Sequence, residues 1–193
     1  MGLVSLASLV AAARSGQLVS FPTDTVPALA VRPDRSGDIY TLKQRSPNKP
    51  LILMASRWQE FLPFLDIEHP ALLVWQKVAE QYFAGAVTLV LPASDRGCKL
   101  NQGFTTLGVR IPDHQTAIAI LQQTGAMLTT SANLSNQPPL RSMGEISDTF
   151  PSVMTLGDSG NVHEIVGSGA PSTVVEWTAD GWIVRRQGAV KFQ

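Results

Sequence analysis

An α/β domain built on a central twisted sheet is what this sequence predicts, on three observations. Short β-branched runs alternate with helical periodicities along most of the chain. At 193 residues the chain fits one compact domain, 1–193, large enough to bury roughly 70% of its unfolded surface in a core without staples. A composition that is 44% hydrophobic and 16% charged belongs to a globular chain rather than a disordered one.

The elements follow in order. Leu3, Leu6, Leu9, Val10 and Ala13 recur at helical spacing with Gly16 as a stop, so 3–14 reads as an amphipathic helix. It lacks the positively charged start of a secretory signal, and no apolar run approaches the roughly 20 residues that span a membrane. Strands are placed at 18–21, 51–55, 87–91, 107–111, 127–130, 153–156, 173–177 and 182–185. Helices are placed at 37–44, 70–83, 115–123 and 143–150. In the 70–83 segment Pro70 takes the first helical position behind His69, and Leu72, Leu73, Trp75, Val78, Ala79 and Phe83 form the apolar face. Ala179-Asp180-Gly181 predicts a tight hairpin, because Asp-Gly supplies the positive φ angles such a turn needs. No internal repeat or low-complexity linker divides the chain.

Charge and motif inventory narrow the function classes. Formal net charge is zero, so bulk electrostatics do not announce a nucleic-acid binder. Through residue 60, seven basic residues face four acidic ones, an asymmetry that permits a basic concavity or a solvated basic face. Cys98 is the only cysteine, which rules out an intramolecular disulfide and fits a reducing, cytoplasmic setting. His69, His114 and His163 are far apart, so no metal-ligand spacing exists. Neither a phosphate loop, nor a dinucleotide fingerprint, nor a G-x-S-x-G nucleophile turn is present.

Four polar constellations interrupt the apolar runs. Pro22-Thr23-Asp24-Thr25 follows a strand, where substrates of α/β folds bind; it also suits a plain turn. Lys43, Arg45 and Lys49 crowd three cations into seven residues and can converge on a polyanion; they also suit the dipole at a helix end. Arg110 sits in an apolar strand, with Thr106, Gly108 and Arg110 on one face and Leu107, Val109 and Ile111 on the other. Its charge needs a substrate carboxylate, Asp113 or another local acid. Thr129-Thr130-Ser131-Ala132-Asn133-Leu134-Ser135 can surround phosphates or a ribose, or cap a helix.

The order of these motifs resembles the YrdC/TsaC family over about residues 15–190. Pro22-Thr23-Asp24-Thr25, Lys43-x-Arg45, Lys49-Pro50-Leu51 and Val109-Arg110-Ile111-Pro112-Asp113-His114 match its successive signatures. Ser131-Ala132-Asn133-Leu134-Ser135, Pro171-Ser172-Thr173-Val174-Val175 and Arg186-x-Gly188 complete the series. The resemblance implies a YrdC-like twisted mixed sheet with flanking helices and a deep concave, positively lined surface. It also implies a nucleotidyltransferase reaction. Threonine and bicarbonate (or CO2) give N-carbamoyl-threonine, whose carboxylate attacks the α-phosphate of ATP to form threonylcarbamoyl-AMP and pyrophosphate. Partner proteins of a threonylcarbamoyl-transferase complex then modify adenosine 37 of tRNA. By resemblance Lys43, Arg45, Ser131 and Asn133 are the catalytic set. Arg45, Lys49, Thr106, Ser131, Pro139 and Arg186 would hold ATP, with Mg2+ accompanying the triphosphate. Thr25, Arg110, Thr129 and Ser172 would hold threonine.

The match departs from the family pattern at Asp24, Pro27, Ala28 and Ala30, at Ser46 and Met54, across Phe83-Ala84-Gly85-Ala86, and at Asn136. These positions surround the amino-acid end more than the phosphate end. Two alternatives therefore stay open: a double-stranded RNA or tRNA binder without synthase activity, and an adenylate-forming enzyme for another small carboxylate.

Overall fold

The computed structural model describes residues 2–46, 48–135, 137–158 and 160–193; Asn136, one of the departures noted above, lies outside the described residues. The strands are β1 (Leu3–Val4), β2 (Val19–Phe21), β3 (Ala28–Val31), β4 (Ile52–Met54), β5 (Val87–Pro92), β6 (Thr106–Arg110), β7 (Met127–Ser131), β8 (Met154–Leu156), β9 (Thr173–Thr178) and β10 (Gly181–Arg186). The α-helices are α1 (Leu6–Arg14), α2 (Ser36–Lys43), α3 (Leu72–Tyr82), α4 (Asp95–Leu100), α5 (Gln115–Thr124) and α6 (Met143–Thr149). Among the described residues the strands form one sheet in the order β1-β8-β2-β3-β7-β4-β6-β5-β9-β10. It is mixed: β1–β8, β2–β8, β4–β6 and β5–β9 pair parallel, and the other neighbours antiparallel. The predicted α/β class holds.

Three local differences have physical causes. Leu3 and Val4 pair with Thr155 and Leu156, and Ser5 caps the helix by accepting from the Ser8 N–H at 3.2 Å, so α1 starts at Leu6 rather than at residue 3. Strand β3 is Ala-rich and weak in intrinsic propensity; its pairing with both β2 and β7 makes it a strand. Helix α4 is short and polar, without the apolar period that betrays a helix in sequence, and the Ser94 side chain caps it. The final hairpin forms where predicted, but of Asp180 and Gly181 only Gly181 takes a positive φ, 97°, and it already pairs with Thr178 as the first residue of β10.

Two apolar clusters lie against the sheet. One joins Leu9 and Val10 of α1 with Ile120 and Leu121 of α5, Ile146 of α6, and Phe21 and Leu29 of the sheet. The other joins Phe61 and Trp75 with Leu53, Leu89, Leu107, Val109 and Leu128. On β6 this second core takes Leu107 and Val109, the odd-numbered positions, and leaves the even-numbered ones for the opposite face. Leu89 is fully buried at the centre of that core. Leu89→Ala is expected to lower unfolding free energy by about 2–5 kcal/mol in a denaturant titration.

Candidate active site

The even-numbered face is not packed by core side chains but forms the floor of a cavity of about 570 Å3. Thr106, Gly108 and Arg110 of β6 line it, flanked by Ile52 and Met54 of β4, Thr88 and Val90 of β5, and Thr129 and Ser131 of β7. Register explains the grouping, because Gly108 pairs with Ile52 on one side and Val90 on the other, and Ile52 pairs with Thr129. The rim comes from the connections that carry Thr25 and Pro27, Arg45 and Pro50, Asn101, Asn133 and Pro139, and Pro171 and Ser172, with Arg186 at the end of β10. Among the described lining residues are three arginines, 45, 110 and 186, and no carboxylate.

Arg110 is the most buried of these three arginines, at 4% exposed. Its Nε donates to the Gly85 carbonyl at 3.0 Å, one Nη to Thr25 Oγ1 at 2.9 Å, and the other Nη to Asp24 Oδ1 at 2.6 Å. The local acid left open by the sequence is therefore Asp24, not Asp113. Burial holds the guanidinium below its ordinary pKa, and Asp24 opposes that shift. A guanidinium carries five N–H groups, so one on each Nη remains for a ligand. Thr25 is fixed in turn: its hydroxyl bonds to Thr23 Oγ1 at 3.1 Å, and Thr23 donates to the Val26 carbonyl at 2.7 Å. The Asp24–Thr25 turn is also strapped from outside. Ser168 and Gly169 N–H groups donate to the Asp24 and Thr25 carbonyls, at 3.0 and 2.8 Å. Gly167 makes this approach feasible, since a Cβ there would lie 2.4 Å from the Thr25 oxygen.

At the other end, α2 stops at Gln44, which adopts a left-handed φ of 48°, and the Arg45 N–H bonds back to the Tyr40 carbonyl at 2.9 Å. This turn carries Arg45 to the cavity rim, where its Nε and an Nη donate to the Lys49 and Pro50 carbonyls at 3.1 Å each. Lys43 points elsewhere. Only 1% exposed, it donates to the Ser131 carbonyl, to Asn133 Oδ1 at 3.0 Å and to Thr130 Oγ1 at 3.4 Å. Asn133 Oδ1 also accepts from Ser131 Oγ at 2.6 Å, while its Nδ2 donates to the Leu134 and Gln137 carbonyls. Ser135 Oγ donates to the Lys43 carbonyl at 2.7 Å, closing the circuit between α2 and the loop after β7. Burial, then the nearby Arg45 charge, brings the Lys43 pKa down to about 7.

The last wall depends on a β-bulge. Pairing runs Val184↔Val175 and then Arg186↔Val174, so Arg185 is skipped. Arg186 consequently takes the cavity side beside Val174, and its guanidinium donates to the Ser172 carbonyl at 2.9 Å. Arg185 pairs with Glu176 outside. Ser172 Oγ is hydrogen-bonded to buried Thr88 Oγ1 at 2.8 Å. Gly188 lets the chain pass over this corner, where a Cβ would lie 2.2 Å from the Pro171 carbonyl oxygen.

The predicted site residues thus meet in one cavity: Arg45, Thr106, Ser131, Asn133, Pro139 and Arg186 line it together with Thr25, Arg110, Thr129 and Ser172. Lys43 lies behind the wall rather than on it, and Lys49 is exposed and outside the lining. His114, a motif residue, stands at the start of α5 instead. Sequence reasoning assigned no role to Asp24, Thr88, Asn101 or Gln137. Asn101 lines the cavity and braces it, accepting from the Leu51 N–H and donating to the Thr106 carbonyl at 2.9 Å. Its only sequence signal lay just past the unrecognised α4.

Comparison with known proteins places this cavity in context. A family profile described as Sua5/YciO/YrdC, telomere recombination, matches residues 11–188. The chain is 35% identical over 167 residues to threonylcarbamoyl-AMP synthase of Vibrio vulnificus strain YJ016, covering 82% of this chain and 89% of that protein. It is 34% identical over 187 residues to threonylcarbamoyl-AMP synthase of Mus musculus, covering 92% and 64% respectively. Sua5 of P. abyssi complexed with L-threonine superposes with a TM-score of 0.83 at 26% identity, over 95% of this chain. The match takes in 54% of the Sua5 chain, so this protein spans little more than half of that relative.

Two outcomes test the electrostatics. Asp24→Ala leaves a buried guanidinium without its counter-ion and is expected to cost about 3–5 kcal/mol of stability in a urea melt. Lys43, at about 7 in the fold against an ordinary 10.5, releases its proton earlier when folded. The unfolded chain then binds more protons between those values, so Lys43 makes stability rise with pH across that window. Lys43→Met is expected to flatten the rise relative to the parent protein, as read by thermal melts from pH 7 to 10.

Proposed function

The chain belongs to the Sua5/YciO/YrdC family, and we propose that it is a threonylcarbamoyl-AMP synthase using ATP, L-threonine and bicarbonate. The observation that carries this reading is that residues matched to a nucleotide and residues matched to threonine line one and the same cavity. Bicarbonate and the threonine amine form a carbamate with loss of water. A carbamate oxygen then bonds to the α-phosphorus of ATP, the bond to the bridging oxygen breaks, and pyrophosphate leaves with that electron pair.

Such a displacement asks the protein for positioning and charge stabilisation more than for a nucleophile. The two open N–H groups of Arg110 suit the threonine carboxylate, beside the Thr25, Thr129 and Ser172 hydroxyls. Arg45 and Arg186 supply phosphate-directed charge at the rim of the cavity that Thr106, Ser131 and Pro139 also line. Lys43 acts in this scheme by holding the 131–137 loop through Asn133 and the Ser131 carbonyl. Lys49 reaches the triphosphate only from outside the present wall. Mg2+ belongs to this reading as a companion of the triphosphate, whose charge it would neutralise.

The positive lining, the extent of one domain over 1–193, a cytoplasmic setting and transfer of the product to tRNA through partner proteins belong to the same reading. No helix of the described residues is long and apolar enough to cross a membrane. The deciding assay is pyrophosphate release from ATP, Mg2+ and bicarbonate with and without L-threonine. Threonine-dependent release is expected. Release driven only by another small carboxylate, or RNA binding without turnover, would overturn it. With charged hydrogen bonds each worth roughly 1.5–3 kcal/mol, Arg45→Ala is expected to slow turnover about 10- to 100-fold in a folded protein.

A further inference from the structure

Arg141 has no part in the scheme above. It stands just before α6 and is not among the residues that line the cavity. Its guanidinium nevertheless lies against Gly169, which is one of them. A Cβ on Gly169 would come within 2.5 Å of Arg141 Cζ and within 2.6 and 2.9 Å of its two Nη atoms. The side chain gains little stability there. Nε is buried and makes no hydrogen bond among the described residues, and the bond from Nη2 to the Gly167 carbonyl is long, at 3.4 Å. An arginine that gives up water for so small a return is explained by what it holds in place.

What it holds is the strap on the Asp24–Thr25 turn. Gly167 and Gly169 both take positive φ, 70° and 78°, with exposed Ser168 between them, so this stretch has much conformational freedom to lose. Two sets of contacts restrain it. Ser168 and Gly169 donate to the Asp24 and Thr25 carbonyls, while the Arg141 carbonyl accepts from the Val166 N–H at 2.8 Å and the Arg141 guanidinium covers Gly169. Arg141 is aimed in turn by the capping box of α6, its N–H donating to Glu145 Oε2 at 3.0 Å beside the Ser142 N–H at 3.1 Å. Contacts therefore run from the start of α6 through Arg141 and the strap to Asp24 and Thr25, whose side chains grip Arg110. We propose that Arg141 is a positioning residue for the amino-acid substrate: it clamps the 167–169 strap and so fixes the turn that aims Arg110. This rests on the synthase reading, in which Arg110 takes the threonine carboxylate.

The test compares the parent protein with Arg141→Ala, Gly169→Ala and the double variant. In Arg141→Ala the Ser168 and Gly169 amides are expected to exchange with deuterium at least about tenfold faster by NMR, with the β6 amides unchanged. The KM for threonine is expected to rise about tenfold or more, with kcat and the KM for ATP within about threefold of the parent. Melting temperature should fall by no more than about 3 °C. Because the inserted Cβ and the guanidinium compete for one place, the threonine KM of the double variant should lie within about threefold of that of Gly169→Ala. Unchanged exchange at 168 and 169, a threonine KM within threefold of the parent, or defects that multiply in the double variant each overturn the inference. So does an equal rise in the KM for ATP, which would make Arg141 a contact of both substrates, and so does a fall of more than about 10 °C in melting temperature, which would make it a support of the whole fold. If the parent protein releases no pyrophosphate with threonine, the synthase reading falls and the assigned substrate with it. The exchange rates need no substrate and judge the clamp by itself.

Discussion

A guanidinium buried in the middle of a sheet has to be answered by charge and hydrogen bonds, and much of this architecture serves that requirement. Arg110 faces Asp24 across 2.6 Å, and Asp24 belongs to the turn between β2 and β3, with β7 and β4 lying between β3 and β6 in the sheet. The pair therefore fastens distant parts of the sheet together over the cavity. Leaving either partner alone would strand a charge out of water, so the turn cannot drift from the strand without a large penalty. Thr25, Thr23 and the 167–169 strap are arranged around that fixed point, each hydrogen-bonded to the next.

A second circuit does for the opposite end what the ion pair does for the first. Lys43, Asn133, Ser131 and Ser135 bind the end of α2 to the loop after β7, and Arg45 emerges from the same helix end. The two circuits also touch directly, where Ala28 pairs with Ser131 and the Ala132 N–H donates to the Pro27 carbonyl at 3.0 Å. A floor anchored in this way suits a reaction that joins two substrates, because positional error is limited by bonded neighbours rather than by long side chains.

Much of this was legible in sequence because strand alternation is strict. Thr106, Gly108 and Arg110 share a face for the same reason that Leu107 and Val109 share the other, and that reason needs no tertiary information. The spaced polar motifs were also recognisable by order. What could not be read were features set by contact across the fold. Asp24 was visible as an acid in a turn, yet its partner lies 86 positions away. Lys43 sits among cations in sequence but turns inward, because a left-handed residue follows it and separates its direction from that of Arg45. Strand β3 and helix α4 escaped because alanines and a short polar run carry little local signal, and pairing or capping makes them what they are.

The bulge at the end of β10 gives two adjacent, chemically identical side chains opposite surroundings. Arg186 belongs to the cavity and Arg185 to the solvent face with Glu176, and only the skipped pairing at 185 decides which is which. Straightening that strand would exchange the two while conserving the Arg-Arg dipeptide, the composition and the charge. A descendant of this protein could thus lose a cavity arginine with no change at either arginine codon, through a substitution elsewhere that merely irons out the kink. Identity at aligned positions would report nothing of that loss; the parity of the hydrogen-bond ladder would.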